Sequence, residues 1–302
     1  MKNKMAVGII TYNNEKHILE TLQSIQKQSF KKFDLLISDD LSTDNTLEVI
    51  KYFIKKNKIK AKIYKQKKNL GITGNCNFLI KKIINNYKFF ALSAGDDLMH
   101  KKKLEIGYKI LNKNKEVYFL FSDCKWFVNN KFISINHFLF QKVPKTKSDL
   151  VEDFTVPTPT IIYKSEYFPK KGFDKKFKYL SDMVMVFNLW ESKKHFFINK
   201  ALTYYRKHSS SIMNSNKIYK ERILIEKFFI KKKIDKKYPI SFSKFVQLKL
   251  YSKLNYKIIR KKNISYYEIL RFLIVAPYTL KWLARKFLII YKILCYIILK
   301  IY

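Results

Sequence analysis

Two pairs of adjacent aspartates stand directly after predicted buried strands. Asp39-Asp40 follows the apolar run at 33–38, and Asp96-Asp97 follows the run at 88–93. Mg²⁺ and Mn²⁺ take oxygen ligands from one or two carboxylates and complete their shells with phosphate and water. Either pair alone is explained as well by loop aspartates that cap a helix or shape a turn. Together, the two pairs predict a metal–polyphosphate site.

The elements around these pairs alternate between strand and helix. Strands are predicted at 5–10, 33–38, 60–64 and 88–93, with helices between them at 15–29, 43–56 and 72–86. This order is typical of a mostly parallel sheet covered by helices. Ligands of open α/β sheets bind beyond the carboxyl ends of the strands. We therefore expect Thr11-Tyr12, Asp39-Asp40 and Asp96-Asp97 to meet at one edge.

The pattern changes along the second half of the chain. A helix is predicted at 101–112, strands at 117–135, and a less regular stretch at 136–160, where prolines recur. From about residue 217 the sequence turns basic, aromatic-rich and helical in pattern. The chain is therefore predicted to hold an α/β domain at 1–215 and a basic helical extension at 216–302.

The first two thirds of the chain resemble the inverting glycosyltransferases of family 2, which have the GT-A fold, a Rossmann-like α/β architecture. The resemblance covers roughly residues 5–213 and begins with the segments 7–14, 28–30 and 36–46. By this likeness Thr11, Tyr12 and Asn13 would line the nucleotide, and Asp39 or Asp40 would hydrogen-bond the base. The segment 69–77 is also similar and implies a nucleotide-sugar contact for Asn77, although Cys76 stands where many members carry Arg.

The family's metal-binding DxD motif corresponds to Ala94-Gly95-Asp96, with Asp97 next in the chain. Its first aspartate is absent here. The resemblance implies that Asp96 binds Mn²⁺ or Mg²⁺ on the diphosphate of the nucleotide-sugar, supported by Asp97 as the second metal-site residue. Gly95 lets the backbone approach a ligand closely.

A later segment, 172–182, resembles the one that ends in the family's Glu-Asp acceptor motif, with Ser181 in place of Glu. Asp182 would then be the general base that deprotonates the acceptor hydroxyl. The alternative is that Asp182 is the N-cap of a helix running to Trp190. The segment 204–212 is similar to a common family ending, in which Arg206 or His208 reaches the diphosphate and stabilises its developing charge.

The resemblance implies a single inverting displacement. It would move a hexosyl or N-acetylhexosaminyl group from a nucleotide-sugar, by default a UDP-sugar, to a hydroxyl of a lipid-linked or growing surface glycan. Capsule, O-antigen and lipooligosaccharide are the glycans expected. Nothing in the sequence identifies the sugar, the linkage or the oligomeric state.

The formal charge of +39 raises anionic membranes and nucleic acid as partners. On a helical projection, three basic residues of the C-terminal segment fall opposite five apolar ones: Lys281, Arg285 and Lys292 against Leu283, Phe287, Ile290, Leu294 and Ile298. Such a helix is typical of an anionic bilayer surface, although it could equally pack on protein. The apolar run at 5–10 is too short for a signal peptide. A cytoplasmic protein, peripheral on the inner face of the cell membrane, is therefore expected.

Three other functions compete with this interpretation. A nucleic-acid-binding protein would explain the charge and the interleaved aromatics, but it leaves the carboxylates after the strands unexplained, and no nucleic acid is expected as a partner. An inactive membrane-bound scaffold of the same fold would explain Ala94 and Ser181. A nucleotidyltransferase is disfavoured, because no Gly-rich phosphate loop with a following Lys comes after the first strand.

Overall fold

The computed structural model describes residues 2–128, 131–136, 143–152, 156–190 and 194–207, with isolated positions at 218, 221, 224, 225 and 228. In these residues the strands are β1 Lys2–Thr11, β2 Phe33–Asp39, β3 Ala61–Lys65, β4 Tyr87–Ala94, β5 Leu98–Met99, β6 Phe119–Val128, β7 Lys131–Asn136, β8 Ile161–Lys164 and β9 His195–Lys207. The helices are α1 Ile18–Gln26, α2 Thr46–Lys56, α3 Gly71–Ile83, α4 Lys103–Lys113, α5 Lys147–Glu152 and α6 Ser181–Leu189.

Strand β1 lies between β2 and β4 and is parallel to both. The register sets Thr11 opposite Asp39 and Ile10 opposite Ala94. Strand β3 extends the parallel part beyond β2. The carboxyl ends of β1, β2 and β4 therefore finish at one edge, and the expected convergence of the loops that follow them is confirmed.

The order of strands in the whole sheet is β3-β2-β1-β4-β8-β6-β9-β5, with β7 paired to β6. Beyond β4 the strands are of mixed direction. Strand β8 runs antiparallel to both β4 and β6, and β9 runs parallel to β6. The short β5 pairs antiparallel with β9, with Leu98 opposite Tyr204. This last pairing brings the end of β9 to the residues that follow β4.

Both faces of the parallel strands are covered, as continuous apolar strands require. Alternate residues of β1 face opposite ways: Val7 and Ile9 belong to one cluster, and Ala6 belongs to the other. The first cluster packs against α1, α2 and α4 through Ile18, Leu22, Ile50, Phe53, Leu104 and Leu111. The second packs against α3 and α6 through Leu79, Ile80, Ile83, Met185, Val186 and Leu189. The sheet is thus fixed from both sides.

Two local predictions are wrong. Helix α2 begins at Thr46 instead of Thr43. Ser42 bonds to Asp39 and the N–H of Thr43 bonds to Asn13, so both residues belong to the loop before the helix. Asn45, at the N-cap, makes no side-chain cap bond. The stretch at 136–160, expected to be irregular, contains α5 and a 3₁₀ turn at Thr158–Thr160. Asp149 accepts the N–H groups of Lys145 and Thr146 just before α5.

The chain divides into compact units at 1–225 and 226–302, beyond the boundary predicted near 215. One buried residue of the intervening segment, Glu221, shows why it joins the first unit. Its carboxylate accepts the backbone N–H groups of Lys178, Tyr179 and Leu180 at 2.7–2.8 Å. These donors precede α6, whose N-cap, Leu180, makes no side-chain cap bond. Glu221 therefore holds the residues that precede α6, although it lies about 40 positions later in the chain.

The amphipathic basic segment predicted at 281–298 lies outside the described residues. Within the part of the chain that the structure describes, no helix combines the length and apolar character needed to cross a membrane.

Replacing Glu221 with Gln should destabilise the protein strongly, because an amide cannot accept three N–H groups as a carboxylate does. The loss in free energy of unfolding should be about 2–4 kcal/mol, measured by denaturant titration. Glu48→Gln is the matched control: Glu48 is exposed in the first turn of α2, and its loss should be about 0.5 kcal/mol. Equal losses would contradict the capping role.

Candidate active site

The loops after β1 and β2 are joined by reciprocal hydrogen bonds. The N–H of Asn13 donates to Ser42 Oγ at 3.0 Å, and Asn13 Oδ1 accepts the N–H of Thr43 at 2.9 Å. The N–H of Glu15 donates to Asp44, whose carboxylate also accepts two bonds from Thr46. Asn13, predicted to line the nucleotide, has φ of 50°. Its side-chain oxygen is the acceptor in this contact between the two loops.

Thr11 and Asp39 face each other across β1 and β2, and both are buried. The Asp39 carboxylate accepts the N–H of Ser42 at 3.0 Å and its hydroxyl at 2.5 Å. Tyr12 is different, because 47% of it is exposed. The side chain of Tyr12 is therefore open to a ligand, whereas those of Thr11 and Asp39 are enclosed by the protein.

Asp40 lies at the start of α3 in space, although it follows β2 in sequence. Its buried carboxylate accepts the N–H groups of Leu70 at 2.7 Å and Gly71 at 2.8 Å. Burial raises the pKa of Asp40, and these two hydrogen bonds lower it in part. Asp40 therefore anchors the loop that leads into α3.

Asn77 has both of its amide atoms engaged by one residue. Its Nδ2 donates to the carbonyl of Phe173 at 2.9 Å, and its Oδ1 accepts the N–H of Phe173 at 2.7 Å. This pair holds the turn at Gly172, where φ is +77°. Sequence could not reveal this pair, because Phe173 lies in a distant loop, and the contact of Asn77 with the nucleotide-sugar stays a prediction.

The segment after β4 passes directly over β1. A Cβ added at Gly95 would lie 2.6 Å from Thr11 Oγ1, and the carbonyl of Gly95 accepts the hydroxyl of Thr21. Only glycine fits this crossing. Asp96 is then partly exposed, whereas Asp97 is only 2% exposed. Burial raises the pKa of Asp97, and the charge of Asp96 raises it further.

Arg206, on β9, is buried against this segment. Its N–H donates to Asp97 Oδ1 at 3.0 Å, and its Nε donates to the carbonyl of Asp96 at 2.9 Å. Its Nη2 contacts the Glu20 carboxylate at 2.5 Å, and its guanidinium lies 4.4 Å from the ring of Phe127. The structure thus places a cation beside Asp96-Asp97. His208, the other predicted cation, lies outside the described residues.

Asp182 is the second residue of α6, whose N-cap is Leu180. The interpretation of Asp182 as the N-cap is therefore wrong. Its carboxylate accepts the hydroxyl of Thr158 and, at 2.9 Å, the N–H of Met183. Burial raises the pKa of Asp182, and the Thr158 hydrogen bond opposes that shift. A carboxylate with a raised pKa and one fixed hydroxyl partner is suited to take up a proton.

Three residues that the sequence analysis did not single out complete this region. Burial raises the pKa of Tyr205, and Asp97, Asp96 and Asp182 raise it further, so its phenol lies within electrostatic reach of all three carboxylates. Burial and the charge of Asp182 likewise raise the pKa of Tyr163. Burial lowers the pKa of Lys103 to about 7, against the opposing effect of Asp97. Their signal in sequence is weak, since a tyrosine in a strand and a lysine at a helix start are common.

The carboxylates suit a metal that keeps phosphate and water ligands. In the described residues, no group of three or more His, Cys, Asp or Glu side chains could hold a metal ion. A structural zinc cage needs four such ligands, whereas Mg²⁺ binds through one or two carboxylates together with substrate phosphates. Asp96 meets that lesser requirement. Asp97 is turned inward to the backbone of Arg206, so it fits as the support of Asp96.

The sequence model described as "Glycosyl transferase family 2" matches residues 6–172. The chain belongs to glycosyl transferase family 2. The match ends before Asp182 and Arg206, so the roles of those two residues depend on their geometry. The resemblance predicted from the segments at 7–14, 36–46 and 94–96 is confirmed.

Curated relatives match this family 2 protein over part of its length. The poly(ribitol-phosphate) β-N-acetylglucosaminyltransferase TarS of Staphylococcus aureus is 35% identical over 105 residues, which are 34% of this chain and 18% of TarS. An uncharacterized glycosyltransferase of Methanocaldococcus jannaschii is 26% identical over 179 residues, 58% of this chain and 60% of that protein. The chain therefore spans less than two thirds of the length of these curated relatives.

Solved structures confirm the GT-A fold. S. aureus TarS 1–349 in complex with UDP-GlcNAc superposes with a TM-score of 0.60 at 20% identity, covering 90% of this chain and 79% of that one. The mannosyltransferase PcManGT of Pyrobaculum calidifontis, in complex with GDP-Man and Mn²⁺, gives a TM-score of 0.57 at 15% identity, with coverages of 83% and 70%. At these identities the likeness is one of fold.

Gly172→Ala should be markedly more destabilising than Gly71→Ala. Both glycines have positive φ, at +77° and +71°, but only at Gly172 would a Cβ overlap another group, the Asn77 amide. We expect a loss of about 1–2 kcal/mol at Gly71 from the left-handed backbone. At Gly172 the overlap should add about 1–3 kcal/mol. Chemical denaturation of the two variants measures the difference in free energy of unfolding. Equal losses would show that the Asn77 side chain moves aside at no cost in stability.

Proposed function

We propose that this family 2 protein is an inverting glycosyltransferase, with Asp96 at the diphosphate of a nucleotide-sugar and Asp182 as the general base. One observation carries the proposal: strand β9 is bonded to both parts of the site, since Arg206 donates to the carbonyl of Asp96 and Thr203 donates to the carbonyl of Pro159, next to the Thr158 that holds Asp182. A base and a phosphate-side carboxylate tied to one strand suit a displacement in which the acceptor hydroxyl attacks as the diphosphate leaves.

Thr11, Tyr12 and Asp39 form the nucleotide end of this proposal. Thr11 and Asp39 are opposed on neighbouring strands, and Tyr12 is exposed beside them. UDP-sugars are the default substrates, supported by TarS, whose structures hold UDP or UDP-GlcNAc. The PcManGT complex with GDP-Man and Mn²⁺ makes a GDP-sugar the second choice and supports a divalent metal.

A bound Mn²⁺ or Mg²⁺ would neutralise the charge that develops on the leaving diphosphate. Asp96 would hold it, with Asp97 and the main chain of Arg206 fixing the loop. The guanidinium of Arg206 lies beside the carbonyl of Asp96, and its charge would favour the same developing anion. Asp182 would take the proton of the acceptor hydroxyl as that oxygen attacks the anomeric carbon, with the carboxylate held by Thr158.

The acceptor is proposed to be a hydroxyl of a lipid-linked or growing surface glycan. Its support is the basic amphipathic pattern at 281–298, which suits an anionic membrane surface, and the acceptor in the name of TarS, a poly(ribitol-phosphate). A position at the inner face of the cell membrane would bring the catalytic unit to such an acceptor.

Release of nucleotide from UDP-, GDP- and dTDP-sugars should depend on a divalent metal and on both carboxylates. Asp96→Asn and Asp182→Asn should each lower the rate at least about 100-fold. The two should differ in binding: Asp96→Asn should raise the Mn²⁺ concentration needed, while Asp182→Asn should leave nucleotide binding intact. Turnover with and without chelator, and nucleotide titration by calorimetry, measure these effects.

The matched control is Asp174→Asn, since Asp174 is an exposed aspartate in the loop before α6 and its loss should leave turnover within about twofold. Binding without turnover of any of these nucleotide-sugars, in every metal, would favour the inactive scaffold. Turnover that survives Asp182→Asn would assign the base to another group.

The rate of release should fall as the pH drops through the pKa of Asp182, because the base acts only when it is deprotonated. Burial sets that pKa above the ordinary aspartate value, and the Thr158 hydroxyl lowers it by stabilising the carboxylate. Thr158→Val removes this bond, so it should raise the pKa and move the acidic limb of the kcat/KM profile to higher pH. An unmoved limb in Thr158→Val would mean that a different group controls it.

A further inference from the structure

Lys103, the first residue of α4, is buried to 1% exposure. Its Nζ donates to the carbonyl of Pro159. The same carbonyl accepts the hydroxyl of Thr203, on β9, at 3.1 Å. Electrostatic interaction with Asp97 reaches Lys103 from the loop after β4. The buried amino group of Lys103 thus links α4, which follows the Asp96-Asp97 segment in the chain, to the turn at Thr158–Thr160.

Stability alone is a weak reason for a lysine at this position. Removing an ammonium from water is costly, and replacing buried charges with apolar groups of similar volume is often neutral or stabilising. The tip of Lys103 has a carbonyl as its hydrogen-bond partner and a carboxylate within reach. A reason of another kind is needed, and Thr158, the residue before Pro159, supplies it.

The turn held by Lys103 also holds the proposed base. Within it, the N–H and the hydroxyl of Thr160 donate to the carbonyl of Pro157 at 2.9 Å and 2.6 Å. Thr158, the residue before Pro159, donates its hydroxyl to the Asp182 carboxylate. Displacing the Pro159 carbonyl would therefore move the Thr158 hydroxyl and the carboxylate bonded to it.

We propose that Lys103 is a positioning residue for sugar transfer: it fixes the Pro159 carbonyl, so that Thr158 holds Asp182 at a set position relative to Asp96-Asp97. This inference rests on the proposed function. Lys103 itself touches neither reacting group. It acts through Thr158, and the Pro159 carbonyl that it fixes is also bonded to Thr203 of β9.

Lys164 provides a matched control for a purely structural role. It is also buried, to 2% exposure, and its Nζ donates to the backbone carbonyls of Asn114 and Lys115. It pairs with Phe89 near the amino end of β4, whereas Asp96 follows the carboxyl end. The two lysines therefore share burial and partner type and differ in their distance from the site.

The first experiment is a double-mutant cycle on nucleotide-sugar turnover, using Lys103→Met, Thr158→Val and the double variant of the full chain. Lys103→Met should lower kcat about 10-fold and leave the KM for the nucleotide-sugar within about twofold, because only the placement of the base changes. In the Thr158→Val background, Lys103→Met should add less than about twofold, since both act through one bond. Lys164→Met should leave kcat within about twofold. Multiplicative effects of the two substitutions, or an equal loss in Lys164→Met, would overturn the proposal.

Hydrogen exchange tests the same tether without turnover. The amide of Thr160 should exchange about 10-fold faster in Lys103→Met than in the wild type, and at the wild-type rate in Lys164→Met. Unchanged exchange in Lys103→Met overturns the proposal even if the enzyme is active. A wild type that turns over no nucleotide-sugar refutes the proposed function instead, and the exchange result still decides whether Lys103 holds the turn. If Lys103→Met does not fold, Lys103→Gln, which keeps an N–H donor in a shorter chain, should show the same changes in smaller degree.

Discussion

Strand β1 pairs in parallel with β2 on one side and β4 on the other, and the register ends all three strands at one edge. The loops after them are then forced into contact. Asp40 donates its N–H to the carbonyl of Thr11, and Gly95 crosses so close to Thr11 that a side chain would not fit. The proposed nucleotide end of the site depends on this alignment, because each side chain assigned to it ends or follows one of these strands.

The second half of the site depends on the short pairing of β5 with β9. Leu98 and Met99 pair with Tyr204 and Thr203, which sets Arg206 against Asp97. The family match covers 6–172 and stops before these residues of β9. Because β9 also lies parallel to β6, with Arg206 opposite Phe127, the cation beside Asp96-Asp97 is held by a strand of the sheet. Its position therefore does not rely on a loop.

Many of the site's polar groups are committed to the protein's own backbone. Asp39 binds Ser42, Asp40 binds Leu70 and Gly71, and Asn77 binds Phe173. Buried polar groups need such partners, since an unsatisfied one costs about 1–3 kcal/mol. The result is a rigid frame around a few more accessible side chains, Tyr12 and Asp96 among them. A frame of this kind fixes geometry before any ligand arrives, which is the main requirement of a displacement that uses positioning.

The sequence by itself determined the family, through motifs that occur in the family's order along the chain. It also determined the β-α-β order and the edge at which Thr11, Asp39 and Asp96 meet, because continuous apolar runs and the aspartates that follow them are local signals. It could not determine which polar side chains stabilise the fold. Asp40 and Asn77 bind backbone that is distant in sequence, and Glu221 caps α6 from a segment assigned by composition to another region. The hydrogen bonds from Lys103 to Pro159 and from Thr158 to Asp182 likewise join residues 24 or more positions apart. Tertiary packing alone decided these contacts, because a hydrogen bond between distant residues leaves no spacing in the chain to read.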